Sequence, residues 1–370
     1  MRSMQFQVQR DQLLTPLQQV IGVVERRQTL PILGHVLVHV SEQALTLTTT
    51  DLEVELIARH PLEQGKVGET TLPARKLLDI VKSLPESGML ELKHDGTHVE
   101  LRSGRSRYTL APLAPADFPS TEAVEFSSEL VLSQADLRTL IERTQFAMAQ
   151  QDVRFYLNGM LWETRGKTRV IAVATDGHRL AYAELGEGGD EGEPQQVVVP
   201  RKGVLELQRL LGDENAEVTL RLGATHVQAQ TERVCLTSRL IDGRFPDYRR
   251  VLPTPGEGPA LVDRLSLREA LGRAAILANE KYRGVRLRFS EDQLEIEAHN
   301  PENEVAEEVL EIEYRGEAVE IGFNVVYLME ALSAMGGETV AVHLTDANAS
   351  ALLEDAQDSS AQYVVMPMRL

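Results

Sequence analysis

Two periodicities alternate along the chain. Leu13, Leu14, Leu17, Val20, Ile21 and Val24 fall on one face at helical spacing, which predicts an amphipathic helix over 11–24. Leu77, Leu78, Val81 and Leu84 repeat that spacing after Pro73-Ala74-Arg75-Lys76, and Leu137, Leu140, Ile141 and Met148 repeat it over 133–148. Between these stripes the period drops to two. Residues 6–9, 36–40, 44–49, 53–60, 89–93, 98–103 and 107–110 read as half-buried strands. The apolar run 170–174 reads as a buried strand. Pro16 sits inside the first stripe, where its ring and missing N–H should disturb the helix. Ser133-Gln134-Ala135-Asp136 and Ser266-Leu267-Arg268-Glu269 resemble capping boxes, which places Ser133 and Ser266 at helix N-termini.

These elements recur as one unit. An opening helix is predicted at 11–24, 133–148 and 266–278. A polar turn follows a strand at Thr50-Asp51, Thr175-Asp176 and Asn300-Pro301, spaced 125 and 125 residues. A second helix starts near Pro73, Pro200 and Phe323, spaced 127 and 123 residues. A closing proline comes at Pro119, Pro246 and Pro367, spaced 127 and 121 residues. Four landmarks in constant order and near-constant spacing indicate a triplicated α+β domain, each copy long enough for its own core. The copies span 1–124, 129–253 and 258–370, with linkers at 120–127 and 253–259. The acidic, Gly-rich stretch 186–194 reads as a solvated loop.

Charge changes this picture. The net charge is −18 and the pI about 5.0, which argues against a general nucleic-acid binder. Binding depends on where charge sits, however, and not on its sum. The helical segments carry Arg75, Lys76, Lys82, Arg138, Arg143, Arg201, Lys202, Arg209, Arg268 and Arg273, whereas 291–320 holds twelve carboxylates against one Arg. If helices face inward and sheets outward, the inner surface is basic and can follow a phosphate backbone without reading bases. The alternative is that these are ordinary solvated helix residues. The single cysteine, Cys235, lies in an alternating segment and is read as a buried, inert thiol. One cysteine forms neither a disulfide framework nor a Cys-based zinc site within the chain. No run is long enough to span a membrane, and the expectation is a reducing, cytoplasmic compartment.

Chemistry-bearing motifs are sparse. There is no Gly-rich phosphate loop and no nucleophile elbow. His35 and His39 are four apart, but on a strand, which puts them about 13 Å from one another and too far to share a metal. Thr175-Asp176-Gly177-His178-Arg179-Leu180 presents Asp176 and His178 where a strand turns, Gly177 supplying a positive φ. One reading is a hydrolytic pair, which needs a nucleophile or bound water that no Ser or Cys motif supplies. The other is a repeated structural turn bordering a docking surface. A repeat scaffold with no DNA role is a third possibility.

The triplication, together with Leu30-Pro31-Ile32-Leu33-Gly34, Thr50-Asp51-Leu52-Glu53, the Gln151–Gly159 and Thr175–Leu180 stretches, Asp242-Gly243-Arg244-Phe245-Pro246-Asp247-Tyr248 and the closing 363–370, resembles the bacterial DNA polymerase III β subunit family over essentially the whole chain. The resemblance implies a DNA clamp fold of three domains, each with two helices on antiparallel sheets, dimerising head to tail into a closed ring. It implies a non-catalytic processivity factor with no cofactor, metal or membrane. The implied partners are a second copy, double-stranded and primed DNA, a clamp loader, the replicative polymerase α subunit and other proteins with a short clamp-binding peptide. Implied DNA contacts are Arg27, Arg75, Gln151, Phe155 and Tyr156; the basic helix starts add Arg201 and Lys202. Phe155 replaces a Tyr common in the family and lacks its hydroxyl. The implied peptide pocket comprises Leu157, Thr175, Gly177, His178, Arg179, Leu180, Pro246, Arg250, Val251, Val364, Val365, Met366, Pro367, Met368 and Arg369. Ring closure is expected to set Tyr108 and Leu110 of one chain against Ile276 and Leu277 of the other. Lys76, Arg105 and Arg107 near Glu304, Glu307 and Glu308 would add charge complementarity.

Overall fold

The structure is a computed structural model that describes residues 4–27, 29–119, 123–166, 169–186, 193–212, 215–256 and 258–369. Parts of both predicted linkers and of the acidic loop lie outside the described residues. The chain divides into two compact units, Met1–Ala135 with Leu205–Leu240, and Asp136–Val204 with Ile241–Leu370.

In the first unit an eight-stranded antiparallel sheet runs in the order Phe126–Ser133, Glu217–Gly223, His226–Gln230, Val234–Arg239, Val54–Pro61, Ala44–Thr50, His35–Val40, Gly68–Pro73. A five-stranded sheet runs Gly65–Lys66, Gln5–Gln9, Met89–His94, Val99–Ser103, Ser106–Leu110. The second unit repeats the plan. Its eight-stranded sheet runs Gln195–Pro200, Gly159–Arg165, Arg169–Thr175, Arg179–Leu185, Asp358–Val365, Ala351–Asp355, Thr339–His343, Ala260–Asp263, and its four-stranded sheet runs Val305–Glu311, Gln293–His299, Gly284–Ser290, Val319–Asn324.

Each eight-stranded sheet is pooled from two repeats. Val234–Arg239 of the second repeat pairs with Val54–Pro61 of the first, setting Leu236 opposite Leu56. Asp358–Val365 of the third pairs with Arg179–Leu185 of the second, setting Tyr363 opposite Ala181. The central repeat shares one sheet with each neighbour, so the compact units do not follow the repeat boundaries.

The triplication is visible residue by residue as one cross-strand row per repeat. The rows are Phe6–Leu92–Leu101–Tyr108, Leu130–Leu220–Ala229–Leu236 and Ala260–Val342–Leu353–Tyr363. Every member except Tyr108 is buried, as core-facing positions of a half-buried sheet must be.

Six helices are described: α1 Arg10–Val20, α2 Ala74–Ser83, α3 Gln134–Glu142, α4 Arg201–Leu210, α5 Arg264–Ala274 and α6 Val325–Ala334. The opening helices are shorter than their apolar stripes. Each ends in a 3-10 turn, at Ile21–Val23, Gln145–Ala147 and Ala275–Leu277. Pro16 does not break α1. Its ring joins the buried stripe of Leu13, Leu17 and Val20, and that packing offsets the lost hydrogen bond. The capping box expected at Ser266 is displaced: Asp263 is the N-cap of α5, and its side chain accepts from the Ser266 N–H at 2.8 Å. Strand Phe126–Ser133 occupies part of the stretch expected to be linker. Cys235 is half-buried in its strand, and burial raises its thiol pKa. No helix is long and apolar enough to cross a membrane among the described residues.

Candidate docking site

The turn after Arg169–Thr175 is closed by its own side chains. The Thr175 hydroxyl donates to the Arg179 carbonyl at 2.6 Å and accepts from the Gly177 N–H at 3.1 Å. Asp176 Oδ1 accepts from the N–H groups of His178 and Arg179 at 2.9 and 3.1 Å, and Oδ2 takes Arg179 Nε at 3.1 Å. Both carboxylate oxygens are therefore committed to the turn, which removes Asp176 as a free base for His178. The first repeat builds the same turn: Asp51 Oδ1 accepts from Glu53 and Val54, and Thr50 from Leu52. Gly177 has φ 88° and is crowded, since a Cβ there would lie 2.9 Å from Arg154 Nη1. His178 is exposed beside it.

Arg179 does not reach out as a free cation. It pairs with Asp176 and Glu330, donates to the Phe146 carbonyl at 3.0 Å, and stacks over the Tyr327 ring at 4.4 Å. Tyr327, Glu330 and Phe146 were not singled out in the sequence, because side chains far apart in the chain carry no local sign that they meet at one guanidinium.

Behind the turn lies an apolar floor. Leu157, Leu180 and Val364 belong to one buried cluster with Leu161, Ile171, Tyr182, Phe245 and Tyr248. Pairing of Arg179–Leu185 with the final strand places Val364 opposite Leu180 and Val365 opposite Arg179. The tail continues along the turn: the Met366 N–H donates to the His178 carbonyl at 3.0 Å, leaving the Met366 side chain 48% exposed. Residues 244–250, including Pro246 and Arg250, form the wall of a cavity of about 530 Å³ that Tyr156 and Gln196 also line. Val251 follows, exposed. A second cavity of about 520 Å³ is bordered by Asp176, His178, Arg179, Arg201, Tyr327 and Glu330, among others.

The last implied pocket residues diverge from this centre. The Met368 N–H bonds to the Gly322 carbonyl at 2.8 Å, and Met368 and Arg369 line a separate cavity of about 340 Å³ with Tyr282 and Arg286. Met366 and Met368, read in the sequence as one apolar surface, thus part: Met366 stays exposed against the turn, Met368 lines the separate cavity, and Pro367 between them is half-buried.

Loop 151–158 is braced beside the turn. The Asn158 side chain accepts from the Asp152 N–H and donates to the Asp152 carbonyl, each at 2.9 Å. Arg154 donates to both Asp152 oxygens, at 3.0 and 2.9 Å. These bonds hold the Asp152 carboxyl down to about 2. The bracing lets Gln151 sit at φ 54° and leaves Val153 and Phe155 exposed, with Phe155 edge-on to Tyr156.

The basic residues singled out in the sequence divide into three groups. Arg138, Arg143, Arg209 and Arg273 are paired with Glu142, Asp358, Glu206 and Glu308 and are largely neutralised. Arg27, Lys76, Lys82 and Arg268 are exposed. Arg75 donates to the Val24 carbonyl, while its Nε is a buried donor with no partner among the described residues. Arg201 Nη1 is a similar buried donor, and burial lowers its pKa. Lys202 follows it, half-buried. Most carboxylates of the acidic segment 291–320 are exposed, and several of them carry an arginine partner. Glu295 and Glu320 pair with Arg288, and Glu291 with Arg315. His35 bonds Thr71 on the neighbouring strand, and no cluster of metal-binding side chains occurs among the described residues.

Three family models match consecutive parts of the chain: the DNA polymerase III beta subunit N-terminal domain over residues 4–122, the central domain over 131–247 and the C-terminal domain over 249–369. Among curated relatives, the beta sliding clamp of Pseudomonas putida is 53% identical over 368 residues, covering 99% of this chain and all of that one. The Escherichia coli beta sliding clamp is 49% identical with the same coverage. A Pseudomonas aeruginosa sliding clamp bound to griselimycin superposes with a TM-score of 0.96 at 52% identity, covering all of both chains. The griselimycin-bound clamp of Bartonella birtlesii gives 0.94 at 35% identity, again with full coverage of both chains.

Proposed function

Because the chain belongs to the DNA polymerase III beta subunit family, we propose that it is a non-catalytic processivity factor: two copies close head to tail into a ring around duplex DNA. The ring slides without reading sequence. It holds the replicative polymerase and other partners through a short peptide docked between the second and third repeats.

The observation that carries this reading is a junction built twice and left open once. Within the chain, the closing strand of one repeat pairs with the strand after the polar turn of the preceding repeat. Leu236 meets Leu56 in the first such seam and Tyr363 meets Ala181 in the second. In the second seam Tyr363 also packs on Phe146, in the 3-10 turn after α3, with ring centroids 5.8 Å apart. The third seam would have its two halves in the first and third repeats. Ser106–Leu110 and Val305–Glu311 are each the last strand of their sheet. By the cross-strand rows, Tyr108 corresponds to Tyr363, and Ala306 to Ala181, since Ala298 faces Ala306 as Ala174 faces Ala181. Ile276, in the 3-10 turn after α5, takes the place of Phe146 and is 78% exposed.

A second copy satisfies all of this at once, with Tyr108 opposite Ala306 and against Ile276 and Leu277, and Arg107 opposite Glu307. A head-to-tail contact that closes after two steps leaves neither of these two edge strands free. A lining that includes Arg27, Arg75, Gln151, Phe155, Tyr156, Arg201 and Lys202 would touch backbone phosphates, and the acidic net charge keeps that hold weak enough to slide. Domain limits of 1–124, 129–253 and 258–370 fit this scheme, as does loading by a clamp loader in the cytoplasm. Light scattering on the purified protein at micromolar concentration tests the ring: the reading requires twice the chain mass, and a strictly monomeric protein would sink it.

A further inference from the structure

Glu163 is a fully buried carboxylate in the middle of strand Gly159–Arg165. Burying a charge is costly unless every lone pair finds a donor. Four donors converge on it: Arg249 Nη2 at 2.6 Å, Gln196 Nε2 at 2.7 Å, Arg165 Nε at 2.8 Å and the Tyr248 hydroxyl at 3.2 Å. Burial works against its charge, yet Gln196, Arg165 and Arg249 together hold the carboxyl below its ordinary range.

The four donors come from two sides. Arg165 and Gln196 lie on the sheet, one on the same strand and one on the neighbouring edge strand. Tyr248 and Arg249 lie on the segment 245–251, which carries Pro246, Arg250 and Val251. That segment contains one 3-10 turn, Tyr248–Arg250. Its backbone hydrogen bonds are local, from Arg250 to Asp247 and from Val251 and Leu252 to Tyr248. The preceding tie to the sheet is Ile241 N–H to the Val198 carbonyl at 2.9 Å. Between them, the wall is fixed by the buried faces of Phe245 and Tyr248 and by the bonds to Glu163.

We propose that Glu163 is a positioning residue of the peptide pocket: it ties the wall 245–251 to the central sheet and so sets peptide affinity without touching the peptide. The assignment rests on the pocket reading given above. A wall released from Glu163 must be ordered again by each peptide that binds, and that ordering is subtracted from the affinity.

The test uses the full-length protein and a fluorescein-labelled synthetic peptide carrying the clamp-binding segment of the cognate polymerase α subunit. Glu163→Gln keeps the shape and removes the charge; it should weaken binding about tenfold, mainly through faster dissociation. Arg249→Met and Tyr248→Phe should each reproduce part of that loss and add little to Glu163→Gln, because they cut the same tie. Arg165→Met removes a sheet-side donor from the same carboxylate; it should lower the melting temperature while leaving peptide affinity within about twofold. Unchanged affinity in a folded Glu163→Gln protein overturns the assignment, as does an equal loss in Arg165→Met, which would mark a purely structural role. If Glu163→Gln does not fold, Arg249→Met and Tyr248→Phe decide: both binding like wild type overturns it. A wild-type protein that fails to bind the peptide removes the pocket reading itself, and this assignment with it.

Discussion

Leu52, Gly177 and Asn303 occupy the left-handed corner of the turn in the three repeats, at φ 79°, 88° and 61°, and only one of them is glycine. A β-carbon in that region costs about 1 kcal/mol or more, least for Asn. Leu52 is half-exposed and so gains little from burial in exchange. Leu52→Gly should therefore raise stability by about 0.5–1 kcal/mol in chemical denaturation, and a loss would contradict the strain argument. Gly177→Ala meets both the left-handed backbone and Arg154, and it should weaken peptide docking as well as stability. Asp152 supplies a pH test. Its folded pKa lies below its unfolded value, so its contribution is present above about 3.8 and disappears as pH falls towards 2. An NMR titration of the Asp152 carboxyl carbon should show a midpoint near 2; a midpoint near 4 would mean that the brace to Arg154 is absent in solution. At this scale the sequence was readable where the signal is local: the Thr-Asp-Gly turn was plain. The tie from Glu163 to Arg249 was not, because it links positions 86 residues apart.

Helices and strands were largely legible from period alone, and the errors have physical causes. The apolar stripes overran α1, α3 and α5 because a 3-10 turn keeps nearly the same face buried after the α-helix has ended. The N-terminus of α5 was placed at Ser266 by a capping-box pattern, yet Asp263, three residues earlier, accepts the hydrogen bond. Asp263→Ala should cost about 1 kcal/mol and exceed the cost of Ser266→Ala. Which strands pair across repeats was beyond local pattern altogether, since register between distant segments leaves no periodic trace. The two seams within the chain supply it, and on the proposed ring they imply a copy-to-copy register with Arg107 opposite Glu307. In a Cys235→Ser background, Arg107→Cys with Glu307→Cys should yield a covalent dimer on oxidation. Cross-linking at Arg107→Cys with Glu304→Cys instead would show that the register is wrong.

The whole chain joins an acidic average to a nucleic-acid role, which composition alone argued against. Several helical cations are spent on internal ion pairs, so the remaining positive surface is thin. Such a surface suits a protein held on DNA by topology and not by affinity. On the proposed ring, the outer strands Ser106–Leu110 and Val305–Glu311 of the first and third repeats would complement each other across two copies. The most direct measurement follows from that topology. The protein is loaded onto nicked circular DNA with its clamp loader, separated from free protein, and the DNA is then linearised with a single cut. The account predicts stable retention on the circle at moderate salt and rapid loss once free ends exist. Equal retention on circular and linear DNA would contradict it.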